Sequence, residues 1–341
     1  MEAASPRVFQ GVFLMKYTKL GRTGVEVSRL CLGCMMFGRK TELDESCRII
    51  DRAIDAGINF LDTANIYGRG VSEETVGEAL KRNQRRQETF LATKVHGRMQ
   101  DGDHHPNRFG NNRRMIIEEC ENSLRRLRTD YIDLYQIHRP QSSVPIDETL
   151  RALDDLVRQG KVRYIGCSTF AAWQVVESLW VAKELGLNRF VTEQPPYNLL
   201  DRRIERELIP MAQSYGFAII PWSPLAGGFL SDKYRRGKAA PADARHQRTD
   251  DGHGILGNDQ AFDVLEQVRK LASTKGCTSS QLALAWCVSQ PGVTSPIIGP
   301  RTMEQLEDNL DKQKLDSIAP PGGVVVPFYN ADFGPNEHAW L

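Results

Sequence analysis

Asp62, Tyr67, Lys94 and His138 stand at or just past the ends of short apolar runs. The runs are Ile58-Asn59-Phe60-Leu61-Asp62, Thr89-Phe90-Leu91-Ala92-Thr93-Lys94 and Tyr131-Ile132-Asp133-Leu134-Tyr135-Gln136-Ile137-His138, with Tyr67 five residues beyond Asp62. A phenol keeps its proton at neutral pH, and a neighbouring ammonium makes it a better proton donor. Lys94 can supply that ammonium, Asp62 can hold Lys94 in place, and His138 can orient a carbonyl oxygen. Together they make a general-acid site for a developing alkoxide. Packing does not account for three successive apolar runs that end in an ionisable group. Parallel strands whose carboxyl ends converge on one pocket do.

Such strands need helices between them. Eight strand candidates recur along the chain: Leu30–Leu32, Phe60–Asp62, Phe90–Lys94, Ile132–His138, Tyr164–Ser168, Phe190–Gln194, Ala218–Trp222 and Ser295–Ile298. Helical spacing separates them. Ile116, Cys120, Leu124 and Leu127 share a face of 112–127; Leu150, Leu153, Leu156 and Val157 share one of 146–159; Phe262, Leu265, Val268, Leu271 and Ala272 share one of 262–275. Asp44 and Ser72 are candidate helix caps, and Gly57 and Gly160 candidate helix stops.

Alternating strands and helices imply parallel pairing with right-handed crossovers. The count of eight, with polar groups ending strands throughout, favours a closed (β/α)8 TIM barrel, an α/β fold, over an open doubly wound sheet. No G-x-G-x-x-G follows the first strand, since Gly33 and Gly38 are spaced differently. Residues 17–28 read as an N-terminal β-hairpin placed to plug one mouth of the barrel. Long loops at 96–111 and 224–258 fall on the carboxyl face, and 312–341 reads as an irregular C-terminal tail whose aromatic residues pack on the domain surface. Residues 1–14 read as a loose extension, and 15–341 as one domain.

The 341 residues carry 44 basic and 43 acidic side chains, a net charge of +1. With no basic stripe, nucleic acid is not an expected partner. No apolar run reaches the roughly 18 residues that cross a bilayer, so no membrane role is expected. Seven irregularly spaced cysteines argue against a disulfide framework and fit a reducing, cytoplasmic setting. Cys31-Leu32-Gly33-Cys34 ends a strand and has no second ligand pair, so it reads as packing. His104 and His105 lack an identifiable third ligand, and no metal site is expected. Oligomeric state is not legible.

From about Tyr17 to Asp311 the chain resembles the aldo-keto reductases. Gly57–Gly68 is close to a family signature, and Leu124–His138, Val162–Ser168 and Ile297–Asn309 are similar to three more. The resemblance implies a (β/α)8 barrel that binds NADPH, that is NADP(H), extended across its carboxyl face. It implies Tyr67 as general acid, Lys94 and Asp62 as its tuning pair, and His138 as the carbonyl-orienting residue. By the same resemblance Ser168 and Gln194 hydrogen-bond the nicotinamide carboxamide, and Trp222 stacks on the ring where many members carry Tyr. Ser223, Leu225, Gly227 and Lys233 belong to the loop that wraps the pyrophosphate. Gly33 and Met35 touch the nicotinamide ribose.

The adenosine end is expected on Gly299-Pro300-Arg301-Thr302 and the helix that follows, with Gln305, Asp308 and Asn309. Asp308 stands where the family has Glu. A helix N-terminus stabilises an anion and the Arg301 fork can pair with a 2′-phosphate, which favours NADP over NAD. Two departures stand out. Thr169 follows Ser168 where members usually have Asn, putting one carboxamide contact in question. Met36 is apolar where members are often polar.

The expected reaction is NADPH-dependent reduction of an aldehyde or ketone to the alcohol, and its reverse. The partner is then a small-molecule carbonyl or alcohol. The alternative is a nucleotide-sensing regulatory subunit, as in channel-associated members of the superfamily. A metal-dependent hydrolase on the same barrel lacks His-x-His or clustered carboxylates at the strand ends.

Overall fold

The computed structural model describes residues 15–311 except 101, 103, 243 and 245–254. The extension 1–14, part of the second loop and the tail 312–341 lie outside the described residues. The described residues open with a hairpin, β1 (Tyr17–Lys19) antiparallel to β2 (Glu26–Ser28). Strands and helices then alternate: β3 (Cys31–Gly33), α1 (Leu43–Asp55), β4 (Phe60–Asp62), α2 (Val71–Arg82), β5 (Phe90–Val95), α3 (Arg113–Leu127), β6 (Ile132–Ile137) and α4 (Ile146–Arg158). The series continues with β7 (Val162–Ser168), α5 (Ala172–Leu185), β8 (Phe190–Gln194), α6 (Leu208–Tyr215) and β9 (Ala218–Ile219). Helices α7 (Asp259–Thr274) and α8 (Ser279–Ser289) precede β10 (Ile297–Ile298), and α9 (Met303–Leu310) follows it.

All eight expected strands form, in one parallel sheet of order β10-β3-β4-β5-β6-β7-β8-β9. The sheet curls on itself. Val293 bridges Ile219 in parallel, Thr294 N donates to Ile219 O at 2.8 Å, and Ile297 N donates to Pro221 O at 2.8 Å.

Side-chain alternation sorts each strand into two faces. Phe60, Phe90, Ala92, Leu134, Val191, Ala218 and Ile220 form one buried cluster, which Leu20 and Val27 of the hairpin join. Leu61, Leu91, Val95, Tyr135 and Ile137 point the other way, into a second cluster with helix residues such as Ile50, Ile116 and Leu150. Two residues beyond Phe60 is Asp62. Two beyond Ala92 is Lys94, and two and four beyond Leu134 are Gln136 and His138. The apolar floor and the polar groups above it therefore share one face of the sheet.

Two expected caps are not caps. The N-cap of α1 is Glu42, with Asp44 inside the first turn. Helix α2 begins after Gly70, at φ 100°, and the Ser72 hydroxyl is used across the fold, donating to Cys34 O at 2.7 Å and lying 2.8 Å from Thr63 Oγ1. Gly57 (φ 90°) and Gly160 (φ 73°) do follow helix ends. No disulfide forms: all seven cysteines are free, and burial pushes the Cys31 and Cys34 thiols up, away from reactive thiolate.

Candidate active site

Register puts Lys94 beside Gln136, and Asp62 one step down beside Ala92. The Lys94 ammonium is fully buried and contacts Asp62 Oδ1, donates to Thr63 O at 2.8 Å, and lies 3.4 Å from the Tyr67 hydroxyl. Burial works against this ammonium, but the Asp62 carboxylate and the Tyr67 hydroxyl together outweigh it and hold Lys94 above the usual lysine range. Asp62 Oδ2 accepts from Gln136 Nε2 at 3.1 Å and Gln194 Nε2 at 3.0 Å. The carboxylate is thus fixed by a cation and two amides, the pairing that a buried ion needs.

Tyr67 enters a short turn in which Gly68 and Arg69 both take positive φ (60° and 56°), which reverses the chain and leaves the phenol half-buried at the strand ends. The segment is anchored from behind. Asn65 N donates to Lys94 O at 3.1 Å, and Asn65 Nδ2 to Glu119 Oε2 at 2.9 Å. Arg126 ties that glutamate to Glu73 at 3.1 and 2.6 Å. The rings of Tyr67 and His138 meet edge to face with centroids 5.6 Å apart. Burial, then Lys94 and Arg139, push the His138 imidazole down to about 2 from 6.5. His138 is therefore neutral at physiological pH. The sign for stability follows: the unfolded chain binds a proton below 6.5 that the folded site refuses, so this group removes stability as pH falls from 6.5 toward 2.

The expected nicotinamide residues surround this cluster. Ser168 pairs with Gln194 in register, and its hydroxyl donates to Gln194 O at 2.8 Å. Trp222 is half-buried beyond β9, held by Trp222 N to Pro195 O at 2.9 Å. Gly33 ends β3 against β10; a Cβ there would meet Ile297 Cγ2 at 2.5 Å, so packing alone requires glycine. Met35 is half-buried at the following turn.

After Trp222, Ser223, Ala226, Gly227 and Gly228 all take positive φ, two of them without being glycine, a concentration of strain typical of functional loops. Leu225 and Lys233 are half-buried in the same segment. At the other end Thr302 caps α9, accepting from Gln305 N at 3.3 Å, while Arg301 N donates to Gln305 Oε1 at 2.8 Å. A Cβ on Gly299 would meet nothing within 4 Å, which leaves the approach to this helix start open. Asp308 accepts from Thr278 Oγ1 at 3.1 Å and Gln281 Nε2 at 3.1 Å, and Asn309 is buried. No group of three or more His, Cys, Asp and Glu among the described residues could hold a metal ion.

Three residues emerge here that the sequence reading passed over. Gln136 shares the face of His138, so strand parity alone could have found it. Arg139, exposed at the end of β6, donates from Nη1 to Thr169 Oγ1 at 3.0 Å and lies 5.9 Å from the Trp222 ring centroid. Glu193 is fully buried beneath the turn after β7, where its Oε1 accepts from Phe170 N at 3.1 Å and burial pushes the carboxyl up to about 8.

That turn places Thr169 at φ 60°. A β-branched side chain resists this region and Asn tolerates it, so Thr169 carries backbone strain that Asn would not. We expect Thr169→Asn to stabilise the fold by about 1 kcal/mol, read as a higher urea midpoint at unchanged slope. A lower midpoint would show that the Thr169 hydroxyl contributes more than the backbone strain removes.

The family model of the Aldo/keto reductase family matches residues 29–318. The chain is 40% identical to the uncharacterized oxidoreductase YrpG of Bacillus subtilis (strain 168), over 96% of this chain and 100% of that protein. It is 37% identical to versiconal hemiacetal acetate reductase of Aspergillus parasiticus, over 86% and 91% of the two chains. It is also 36% identical to a probable voltage-gated potassium channel subunit beta of Oryza sativa subsp. japonica, over 89% and 92%. The chain belongs to the aldo/keto reductase family, and with it to the oxidoreductases.

Proposed function

We propose that this protein is an NADPH-dependent reductase of aldehydes or ketones, working reversibly as an alcohol dehydrogenase, with Tyr67 as its general acid. One observation carries the reading: the Tyr67 hydroxyl, the buried Lys94–Asp62 pair and the neutral His138 imidazole converge on one face of the sheet. When bound, the nicotinamide supplies the hydride for the carbonyl carbon. Tyr67 gives its proton to the carbonyl oxygen, and the Lys94 ammonium eases that release. His138, being neutral, orients the same oxygen through an N–H without competing as an acid. Asp62 keeps Lys94 charged and aimed.

The residues present fit the cofactor. Gln194 Oε1 and the Ser168 hydroxyl offer acceptors for a carboxamide, Trp222 a flat ring, the strained turn at 223–228 a bed for the pyrophosphate, and Gly299 with Arg301 an open helix start for a 2′-phosphate. The frame belongs to the same proposal: one domain from 15 to 341, its sheet closed as a (β/α)8 barrel, with the hairpin stopping the amino-terminal mouth through Leu20 and Val27. Free cysteines throughout support a cytoplasmic setting.

NADPH consumption, followed by absorbance over a panel of aldehydes and ketones with NADH in parallel, tests the reading. We expect turnover, with NADPH preferred. The relatives named as potassium channel subunits support a second reading, a nucleotide-sensing subunit. Tight NADPH binding with no turnover of any carbonyl or alcohol would establish that one instead.

A further inference from the structure

We propose that Arg139 is a specificity residue that selects carbonyl substrates bearing a carboxylate or a similar anionic group. The inference rests on the reductase reading and names its substrate class. Arg139 follows His138 in the chain, just past the end of β6, and its contacts rather than strand parity turn its side chain across the strand ends. It spans the mouth: its backbone lies two residues past the end of β6, its Nη1 on Thr169 after β7, and its guanidinium near the Trp222 ring after β9. The backbone is clamped, since Arg139 O accepts from Nδ2 of the buried Asn111 at 2.9 Å.

The side chain is aimed as well. The Thr169 hydroxyl donates its proton to Ser168 O at 2.6 Å, so it can offer Arg139 only a lone pair. One arm of the fork is thereby fixed, while Nη2 and Nε have no hydrogen-bond partner among the described residues. The charge is unbalanced too. Lys94 is neutralised by Asp62, His138 is neutral, and no carboxylate pairs with Arg139 among the described residues. An exposed, oriented guanidinium with two donors to spare, next in sequence to His138, suits a planar anion.

The test is Arg139→Met, which keeps an unbranched apolar stem and removes the fork. Turnover is compared for para-carboxybenzaldehyde and its methyl ester. We expect the ratio of kcat/KM, acid over ester, to fall about tenfold or more, with the native ratio dropping as salt is added. An unchanged ratio would overturn the proposal, whether both substrates slow alike or nucleotide affinity alone is lost. A second arm needs no turnover: benzoate and benzamide are titrated calorimetrically into the NADP⁺ complex. Benzoate should bind the native complex better than benzamide and lose that advantage in Arg139→Met. If no carbonyl is reduced yet benzoate binding depends on Arg139, the reductase reading fails and the anion site stands. If turnover is normal and benzoate is not preferred, the anion site fails alone.

Discussion

Tyr67→Phe lowers turnover by roughly a hundred- to ten-thousand-fold and leaves NADPH affinity close to native. The loss is large because nothing else near the reacting oxygen can act as the acid. His138 stays neutral down to about 2, and the N–H of a neutral imidazole is a far weaker acid than a phenol. Lys94 is held by Asp62 and Thr63 O, and the pairing that raises its pKa also makes it a poorer donor. Binding survives because Phe keeps the ring. The edge-to-face contact with His138 at 5.6 Å and the Lys94 ammonium 4.9 Å from the ring centroid both remain. Single-turnover NADPH oxidation, with nucleotide affinity from quenched tryptophan fluorescence, separates the two effects. Full activity in the variant would sink the assignment of Tyr67 as acid.

What the chain spells out and what it hides divide along physical lines. Strand parity is local, so Phe60 followed by Asp62 and Ala92 followed by Lys94 announce both the face and the convergence of the tetrad. Strand ends are less legible where proline intervenes. The runs Ala218–Trp222 and Ser295–Ile298 were expected as strands, but regular pairing holds only at Ala218–Ile219 and Ile297–Ile298. Pro221 and Pro296 bring no N–H to the ladder there. Ser72 has the composition of a cap, and only the folded chain reveals that Cys34 O and Thr63 claim its hydroxyl. The backbone of Thr169 is invisible in a sequence, because its positive φ is imposed by the buried turn over Glu193. Nothing in the sequence marks Arg139, because its partners Thr169 and Trp222 reach it only when the ends of β7 and β9 are brought together in the fold.

Asp62→Leu should destabilise the protein by about 3–5 kcal/mol at neutral pH, more than the lost contacts alone would account for. The substitution strands the Lys94 ammonium, which has no exposure to solvent, without a counter-charge, and takes the acceptor from the amides of Gln136 and Gln194. The pH dependence identifies the cause. In the native protein the Lys94 pKa is raised above 10.5, so its contribution is fully present below 10.5 and is lost as pH rises through the folded value. In Asp62→Leu the carboxylate no longer offsets burial, the largest influence on this ammonium, and the folded pKa is expected to fall below 10.5. The unfolded chain then binds the extra proton, and stability rises with pH toward 10.5. The deficit between the two proteins, read from urea unfolding, should therefore shrink from neutral to alkaline pH. Adding Lys94→Met to Asp62→Leu removes the buried charge and should restore most of the lost stability while leaving the protein inactive, because replacing both ends of a buried pair is far milder than removing one. A double variant as unstable as the single one would assign the loss to the orphaned glutamine amides and altered packing, and the Lys94–Asp62 pair would no longer explain what holds this site together.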